Sequence, residues 1–362
     1  MGIPVTVPSI EKQLMNGNHA LAEAAIRAGC RFYFGYPITP QNEVPEYMAE
    51  HLPKVGGTFI QAESEIASIY MVLGAAVTGA RAMTSSSSPG ISLKQEGLSF
   101  LAGQELPAVV VNIMRGGPGL GNIAGSQADY HQATRGGGHG DYKVVVLAPA
   151  SVQELADLTY LAFDLADRYR NPVMVLADGL LGQMMEPVVF PDPIAQLPEK
   201  DWTLRGAKGR PSRFCRSLIL DTKLMEEHNW KLQRKYQMIA QKEVRFETWE
   251  LQDAKMAVVA FGTAARVVRG AINRVRKEGL QVGLIRPITL WPFPAGVIRQ
   301  AAARIKEFLV FEWNAGQMVD DVALALQGQA EIFFYGRPGG PTPTPVELAK
   351  IIASRYYQRL RK

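Results

Sequence analysis

The residue of this sequence with the strongest signature of acid–base chemistry is Glu65. It follows Glu63-Ser64 and begins an apolar helical pattern in which the next charged residue is Arg81. A carboxylate held against apolar side chains loses solvation, which favours its protonated form and keeps a proton available. From the residues alone a second interpretation stays open, in which Glu65 only complements the positive end of the helix. Glu63 is a competing candidate, but it precedes the helix and we expect it to face outward.

A hydroxyl and a guanidinium form a second candidate group. Thr39 lies in a turn that two prolines restrain, Tyr36-Pro37-Ile38-Thr39-Pro40, after an aromatic strand pattern at residues 30–34. Arg115 ends the strand pattern at residues 109–114, where its guanidinium can bind a carboxylate through two parallel hydrogen bonds. Alone, Thr39 also fits a helix N-cap and Arg115 a surface turn. Together, at two strand ends of one sheet, they favour a clamp for an acidic substrate.

Two glycine-rich stretches do not match a nucleotide-binding motif. Residues 116–121 fit neither the dinucleotide fingerprint nor a P-loop, because no Gly-Lys-Ser/Thr follows. Residues 85–90 follow a strand pattern and precede a helix expected from Ile91, so we interpret them as a tight turn that lines a crevice. His131 and His139 lack partners at metal-ligand spacing, so we expect no metal site on this chain. We interpret His139 as lining a cofactor or an interface.

Alternating strands and helices must position these residues. Buried strand patterns occur at residues 108–113, 143–147 and 172–176, and Ser151 with Glu154 forms a capping box before a helix predicted over 152–168. Such alternation predicts a parallel sheet covered on both faces, with ligands bound at the carboxyl ends of its strands. A second unit of the same kind begins at residue 256, with a helix over 264–278 and strands at 281–285 and 308–312.

The predicted architecture is therefore α/β, with two doubly wound domains. We predict domains at residues 1–188 and 254–362, joined by residues 189–253, a segment rich in proline and charge without a strong strand pattern. Residues 224–242 of this linker form one amphipathic helix pattern. Residues 205–245 carry eleven Lys or Arg against four Asp or Glu, a local charge of +7 in a chain of net charge +5. Because aromatic interleaving is sparse, we expect a solvated or subunit-facing helix and no nucleic acid.

Composition restricts the classes of function. No run of eighteen apolar residues and no charged, apolar, small-residue leader pattern occurs, so we expect a cytoplasmic chain without a membrane span. The two cysteines, Cys30 and Cys215, are too few for a disulfide framework or for an iron–sulfur cluster with four ligands. If the protein is a redox enzyme, its electron carriers lie on another chain.

Several motifs in a fixed order identify a resemblance. The stretch of residues 17–183 closely resembles the α subunit of the thiamine-diphosphate-dependent 2-oxoacid:ferredoxin oxidoreductases, and is most similar to the branched-chain (2-ketoisovalerate) type, which is also grouped with the 2-oxoglutarate type. The motifs that carry it are Tyr36-Pro37-Ile38-Thr39-Pro40, Gln61-Ala62-Glu63-Ser64-Glu65, Thr84-Ser85-Ser86-Ser87-Ser88-Pro89-Gly90, Met114-Arg115-Gly116-Gly117-Pro118-Gly119, Ser126-Gln127-Ala128-Asp129-Tyr130 and Gly136-Gly137-Gly138-His139-Gly140-Asp141-Tyr142.

The resemblance implies a fold, a reaction and site residues. The first domain resembles the family's pyrimidine-binding domain, and the second resembles its transketolase C-terminal-type domain. The implied reaction is the oxidative decarboxylation of a 2-oxoacid with coenzyme A to an acyl-CoA and CO2, with electrons passed to ferredoxin. Glu65 aligns with the glutamate that contacts the thiamine diphosphate ring, and Thr39 and Arg115 are placed on the substrate carboxylate. The residues implied to line the cofactor are Tyr36, Pro37, Ile38, Ser88 and Pro89.

The sequence lacks the other half of a thiamine diphosphate site. Such enzymes hold the diphosphate through a metal with a Gly-Asp-Gly segment and a later Asn, which neither Gly140-Asp141-Tyr142 nor Asp178-Gly179 matches. The resemblance implies a β subunit with Mg²⁺ and 4Fe–4S clusters, a ferredoxin-like small subunit, and a γ subunit as a further candidate. Two alternatives stay open: a subunit of a non-redox thiamine diphosphate decarboxylase of the sulfopyruvate or phosphonopyruvate type, and a non-catalytic α/β binding subunit.

Overall fold

Two α/β units share one continuous hydrophobic core in the computed structural model, which describes residues 12–359. The strands of this range are β1 (Gln13–Asn16), β2 (Phe32–Gly35), β3 (Thr58–Gln61), β4 (Ala82–Ser86), β5 (Ala108–Met114), β6 (Val145–Leu147), β7 (Pro172–Asp178), β8 (Met185–Val188), β9 (Phe246–Trp249), β10 (Met256–Val259), β11 (Val282–Pro287), β12 (Thr289–Trp291), β13 (Glu307–Glu312) and β14 (Glu331–Gly336).

Helices cover both sheets. The α-helices of the described range are α1 (Gly17–Arg27), α2 (Glu43–His51), α3 (Glu65–Ala76), α4 (Ser88–Leu93), α5 (Gln95–Gly103), α6 (Tyr130–Arg135), α7 (Val152–Tyr169), α8 (Gly179–Gln183), α9 (Thr222–Lys242), α10 (Gly262–Lys277), α11 (Ala295–Ala302), α12 (Met318–Leu326) and α13 (Pro345–Arg359). None of these helices is long and apolar enough to cross a membrane.

The first sheet has the strand order β12-β6-β7-β5-β4-β2-β3, and every pair except β12–β6 is parallel. The strands predicted at residues 108–113, 143–147 and 172–176 are confirmed as β5, β6 and β7. Because parallel strands end at the same edge of a sheet, the segments that follow β5, β4, β2 and β3 lie side by side. This edge therefore gathers the candidate site residues.

Side chains of β5 alternate between two cores, as the pleat of a strand requires. Val109, Val111 and Ile113 pack in the core that contains α1 and α7, whereas Val110 and Met114 pack in the core that contains α3 and α5. The second core continues into the inner face of the C-terminal sheet. The two units are thus packed together by apolar side chains on the side of the sheet that carries the candidate site.

The second sheet has the order β14-β13-β10-β11-β9, with α10 and α13 on its outer face. The expectation that the linker contains no strong strand is wrong at its end, because β9 pairs antiparallel with β11. This strand has four residues, and only alternate side chains are half-buried, so its sequence lacks a buried apolar run. The linker helix is confirmed as α9 and begins two residues early, because the Asp221 side chain caps the amides of Lys223 and Leu224.

One strand of the second unit also pairs with the sheet of the first unit. β12 belongs to the chain of the second unit but pairs antiparallel with β6 of the first sheet, with Thr289 opposite Leu147. Its three residues lie between two prolines, Pro287 and Pro292, which explains why no strand pattern predicted it. The domain bounds at residues 188 and 254 stay a prediction.

A buried arginine joins the two units close to strand β12. Arg286 binds both carboxylate oxygens of Glu154 at 2.7 Å and an oxygen of Glu247 at 2.8 Å. The predicted capping box is confirmed in its first half, because Ser151 Oγ accepts from the amide of Glu154 at 3.1 Å. The Glu154 carboxylate accepts from the amide of Ala150 instead of that of Ser151, and is shared with Arg286.

The basic linker helix packs on the first unit. Leu232, Tyr236 and Ile239 of α9 are buried in the core that contains α7. On the same helix, Lys231 and Lys235 form ion pairs with Glu105. Part of the positive charge of this segment is therefore neutralised by ion pairs with the first unit.

We predict that Arg286→Met lowers the free energy of unfolding by about 2–3 kcal/mol, because it leaves Glu154 and Glu247 without the cation they share. Breaking a fully buried ion pair typically costs about 3–5 kcal/mol. We expect a smaller cost here because both carboxylates remain about one-third exposed. Urea denaturation at neutral pH measures the change. Arg269→Met is the matched control: Arg269 is 44% exposed and also pairs with Glu247, so its loss should cost about 1 kcal/mol or less. Equal costs for the two variants would contradict the coupling role of Arg286.

Candidate active site

The predicted site residues follow four adjacent strands of the first sheet. The turn with Tyr36 and Thr39 follows β2, Glu65 begins α3 after β3, Ser88 begins α4 after β4, and Arg115 follows β5. The carboxyl ends of these strands share one edge, so the structure brings these residues together at that edge, where Arg115 contacts both Ser88 and Thr39. This arrangement agrees with the position at which open α/β sheets bind ligands.

Glu65 occupies the first position of α3. The helix begins there because Ser64 adopts an extended backbone and its side chain accepts from the amide of Ala67 at 3.1 Å. The Glu65 side chain is buried, with only 6% exposure, whereas Glu63 is exposed as predicted. Among the described residues, no group donates a hydrogen bond to the Glu65 carboxylate.

The Glu65 carboxyl reaches the first turn of α4 through space that Gly90 leaves. A Cβ on Gly90 would lie 2.6 Å from Glu65 Oε1 and would overlap Ser86 Oγ. The hydroxyls of Ser86 and Ser87 are buried and have no hydrogen-bond partner within residues 12–359. Buried polar atoms without partners are rare and costly, so these hydroxyls beside a free carboxyl indicate a place where a polar ligand binds.

The helix after β4 begins earlier than the sequence predicted. α4 starts at Ser88 and not at Ile91, with Pro89 in its first turn, a position where a missing amide hydrogen costs nothing. Ser88 and Gly90 therefore belong to the helix start and not to a free turn. Pro89 is half-buried at the same place.

The helix after Glu65 is apolar as its sequence indicates, but a buried lysine from another part of the chain also lies next to Glu65. The fully buried Lys94 donates to the Glu65 carbonyl at 3.2 Å, to Thr84 Oγ1 at 3.1 Å and to Ser68 Oγ. Burial lowers the pKa of Lys94 to about 7, and the charge of Glu65 opposes this shift. Lys94 is 29 positions from Glu65 in the chain, so no window around Glu65 could reveal it.

Arg115 is buried, with 8% exposure, so its interpretation as a surface arginine is wrong. Its Nη1 donates to the Thr39 carbonyl and its Nη2 to the Leu120 carbonyl, each at 2.9 Å. Its Nε is buried without a hydrogen-bond partner in the described part of the chain. The guanidinium thus holds the Thr39 turn to the loop after β5 and retains donors for a ligand.

Thr39 is exposed and does not cap a helix. The N-cap of α2 is Asn42, and Thr39 Oγ1 accepts from Asn42 Nδ2 at 3.5 Å. Tyr36 and Pro37 are also exposed, and Ile38 is half-buried. This turn is anchored from below by Gln41, whose amide donates to the Tyr36 carbonyl at 3.5 Å. The turn therefore presents its side chains at the open side of the crevice.

A hydrogen-bond network that the sequence did not predict fixes Ser88 against Arg115. Ser88 Oγ donates to Asp129 at 2.6 Å and accepts from the Arg115 amide at 3.0 Å, and Asn112 accepts from the Ser88 amide at 3.0 Å. Asn112 Nδ2 donates to the same oxygen of Asp129 at 2.9 Å. Burial raises the pKa of Asp129, while the bonds from Ser88 and Asn112 act in the opposite direction. A polar residue in the otherwise apolar strand at 108–113 was the available signal for Asn112.

Across residues 12–359, no three His, Cys, Asp or Glu side chains form a group that could hold a metal ion. His139 lies away from Glu65, in a cavity between α5 and the start of α9 that it lines with Phe100, Leu218 and His228. His131 contacts the second unit, because its ring Nε2 lies 3.1 Å from the carbonyl oxygen of Gln317.

Two family models match adjoining parts of the chain, residues 23–348 together. Residues 23–253 match the thiamine-diphosphate-binding domain of pyruvate flavodoxin/ferredoxin oxidoreductases, and residues 254–348 match core domain II of pyruvate:ferredoxin oxidoreductase. The α/β fold with parallel-sheet domains agrees with both matches.

Individual relatives are similar over most of their length. The chain is 49% identical to the ketoisovalerate oxidoreductase subunit VorB of Methanothermobacter marburgensis over 329 residues, which are 91% of this chain and 93% of that protein. It is 39% identical to the 2-oxoglutarate synthase subunit KorA of Methanocaldococcus jannaschii, over 94% of this chain and 99% of that one. The structure of a 2-oxoglutarate:ferredoxin oxidoreductase from Magnetococcus marinus matches with a TM-score of 0.84 and 30% identity, over 95% of this chain and 65% of that longer chain.

We predict that Gly90→Ala lowers the free energy of unfolding by about 1–3 kcal/mol, because the added methyl group overlaps Ser86 Oγ and displaces the Glu65 carboxyl. Gly74→Ala in α3 is the matched control, since a Cβ at Gly74 meets no atom within 4 Å. That substitution should stabilise the protein by about 0.4–1 kcal/mol. Urea denaturation compares the two variants with the parent. A Gly90→Ala protein as stable as the Gly74→Ala protein would show that Glu65 does not occupy this space.

Proposed function

The chain belongs to the 2-oxoacid:ferredoxin oxidoreductase family, and we propose that it is the α subunit of a thiamine-diphosphate-dependent enzyme of that family. The reaction is the oxidative decarboxylation of a 2-oxoacid with coenzyme A to an acyl-CoA and CO2, with the electrons passed to ferredoxin. The substrate belongs to the 2-oxoisovalerate or 2-oxoglutarate class. The observation that carries the proposal is the buried Glu65 carboxyl beside the Ser86 hydroxyl at the carboxyl edge of the sheet, both without a hydrogen-bond partner among residues 12–359.

Glu65 is the proposed acid–base group. When bound, thiamine diphosphate supplies the carbon nucleophile that weakens the bond between the substrate's carboxylate and its 2-oxo carbon. Glu65 holds and exchanges a proton at the ring nitrogen of the cofactor's aminopyrimidine, which requires a carboxyl group without a competing protein donor. Ser88 and Pro89 at the start of α4 and the turn residues Tyr36, Pro37 and Ile38 line this ring. The Ser86 hydroxyl, which has no partner in the described part of the chain, and its closeness to the Glu65 carboxyl support the fit of such a ring.

Arg115 and Thr39 are the proposed contacts of the substrate carboxylate. Two carbonyls already orient the guanidinium, and its buried Nε has no hydrogen-bond partner among the described residues. The Nε–H and a remaining Nη–H can together bind a carboxylate. The exposed Thr39 hydroxyl belongs to the residue whose carbonyl Arg115 binds, so the two groups lie close together.

Partner subunits complete the proposed site. They are a β subunit with the Mg²⁺–diphosphate site and 4Fe–4S clusters, a ferredoxin-like small subunit and, as a further candidate, a γ subunit. Burial raises the pKa of the Cys30 thiol to about 12, so this cysteine does not offer a thiolate. The loop after Arg115 carries Leu120 and Ile123, which are 82% and 65% exposed at the rim of the crevice, as expected of a surface that a partner covers. The Magnetococcus marinus enzyme is described with coenzyme A bound, which supports coenzyme A as the co-substrate here.

We predict that Glu65→Gln lowers turnover of the reconstituted complex by about 10²–10⁴-fold, because the amide keeps the shape of the side chain but cannot exchange the proton. The assay is coenzyme-A-dependent reduction of a viologen dye with 2-oxoisovalerate and with 2-oxoglutarate. Glu63→Gln, two residues away and exposed, is the matched control and should retain parental turnover. If Glu65→Gln turns over at the rate of Glu63→Gln, Glu65 is not the acid–base group.

A further inference from the structure

The buried Lys94 ammonium group donates hydrogen bonds to three oxygen acceptors. Its side chain is fully buried, and its three ammonium hydrogens meet three oxygen atoms, those of the Glu65 carbonyl, the Ser68 hydroxyl and the Thr84 hydroxyl. An ammonium group has three donors and no acceptor, so this set satisfies it completely. The geometry therefore suits the charged form of the side chain.

The Ser68 hydroxyl confirms the direction of these bonds. Ser68 Oγ donates its own hydrogen to the Glu65 carbonyl at 2.8 Å, so towards Lys94 it acts as an acceptor. Lys94 and Ser68 together bind the carbonyl of Glu65, and Lys94 also binds Thr84 on β4. This arrangement fixes the first turn of α3, which carries Glu65, to the adjacent strand.

The charged group that acts on Lys94 is Glu65. Of the elements packed around Lys94, β4 and α4 carry no titratable side chain, α3 carries Glu65 and Tyr70, and α5 carries Glu96. Tyr70 and Glu96 hydrogen-bond to each other at 2.7 Å on the exposed side. Asp129, directly before α6, is bound by Ser88 and Asn112. Lys94 and Glu65 are thus a basic and an acidic side chain that lie close together in a buried region, where charges interact more strongly than in water.

We propose that Lys94 is a positioning residue for the reaction: it fixes the first turn of α3, which carries Glu65, and places a buried cationic side chain next to that residue. Glu65 can then take up a proton from the cofactor ring and return it. This inference rests on the proposed function, because it assigns the effect of Lys94 to the carboxyl that the reaction uses.

A first test measures stability and needs no cofactor. Burial lowers the pKa of Lys94 from 10.5 to about 7, so between these pH values the unfolded chain binds a proton that the folded chain has released. The free energy of unfolding of the full chain should therefore rise as the pH increases from about 7 to about 10.5, relative to that of Lys94→Met. A difference between the two proteins that does not change with pH would contradict a buried, titrating Lys94.

The second test separates positioning from simple packing. In the reconstituted complex, Lys94→Met should move the acid limb of the pH profile of kcat/KM to higher pH by about one unit or more, because a nearby cation favours an ionised carboxyl. Lys235→Met is the matched control: burial also lowers the pKa of Lys235, to about 8, but its partner is Glu105. That control should leave the acid limb in place.

Thr84→Val is a second variant, in which valine has nearly the volume of threonine but cannot accept the hydrogen bond from Lys94. It should also move the acid limb of the pH profile to higher pH, by a smaller amount than Lys94→Met. An acid limb at the parental pH in both Lys94→Met and Thr84→Val, or an equal displacement in Lys235→Met, would overturn the proposal. If Glu65→Gln is inactive while these limbs stay in place, only the role of Lys94 fails. If Glu65→Gln is active, the proposed function itself fails.

Discussion

The site depends on one constraint, the burial of a carboxyl group at the first turn of an apolar helix, where no group of residues 12–359 donates a hydrogen bond to it. Ser64 fixes where α3 begins, and Lys94 binds the Glu65 carbonyl. The backbone of Glu65 is therefore held, while its carboxyl has no hydrogen-bond donor in the range that the structure describes. Gly90 leaves the space into which that carboxyl projects. Leaving a buried polar group unpaired costs about 1–3 kcal/mol, which the apolar packing of α3 must offset. Such a cost is typical of a place where a ligand completes the hydrogen bonds.

The second unit contacts the first unit at the edge of the first sheet, at the start of α7 and near the candidate site. It contributes β12 to the first sheet, and Arg286 binds Glu154 at the start of α7. Closer to the crevice, Gln127 donates to the Phe261 carbonyl at 2.9 Å, and its backbone amide donates to the Trp313 carbonyl at 2.9 Å. The segment that includes Gln127 continues to Asp129, which binds Ser88 and Asn112. Packing between the two units is thereby connected to the start of α4.

Much of the fold follows from local patterns in the sequence, whereas the details of the site do not. The apolar runs of β5, β6 and β7 are long enough to be recognised, and Ser64 and Ser151 mark helix starts. The strands β9 and β12 have only four and three residues and lie at sheet edges, so neither has an apolar run long enough to be recognised. Glu65, Arg115 and Ser88 were identified through ordered motifs. Lys94 and Asp129 could not be assigned, because their roles arise from contacts between residues that are far apart in the chain and that only the folded sheet brings together.

The central claim is that this chain supplies the pyrimidine side of a thiamine diphosphate site and that a partner supplies the metal side. Its most direct test is calorimetry of the isolated full-length chain with thiamine diphosphate and Mg²⁺, repeated in the presence of the β subunit. Without a compensating metal site, a bound diphosphate would be a severely desolvated charge, so we expect no tight binding by the isolated chain. Tight binding should appear only with the β subunit. Micromolar binding by the isolated chain would contradict the account, because it would show that this chain carries the metal side as well.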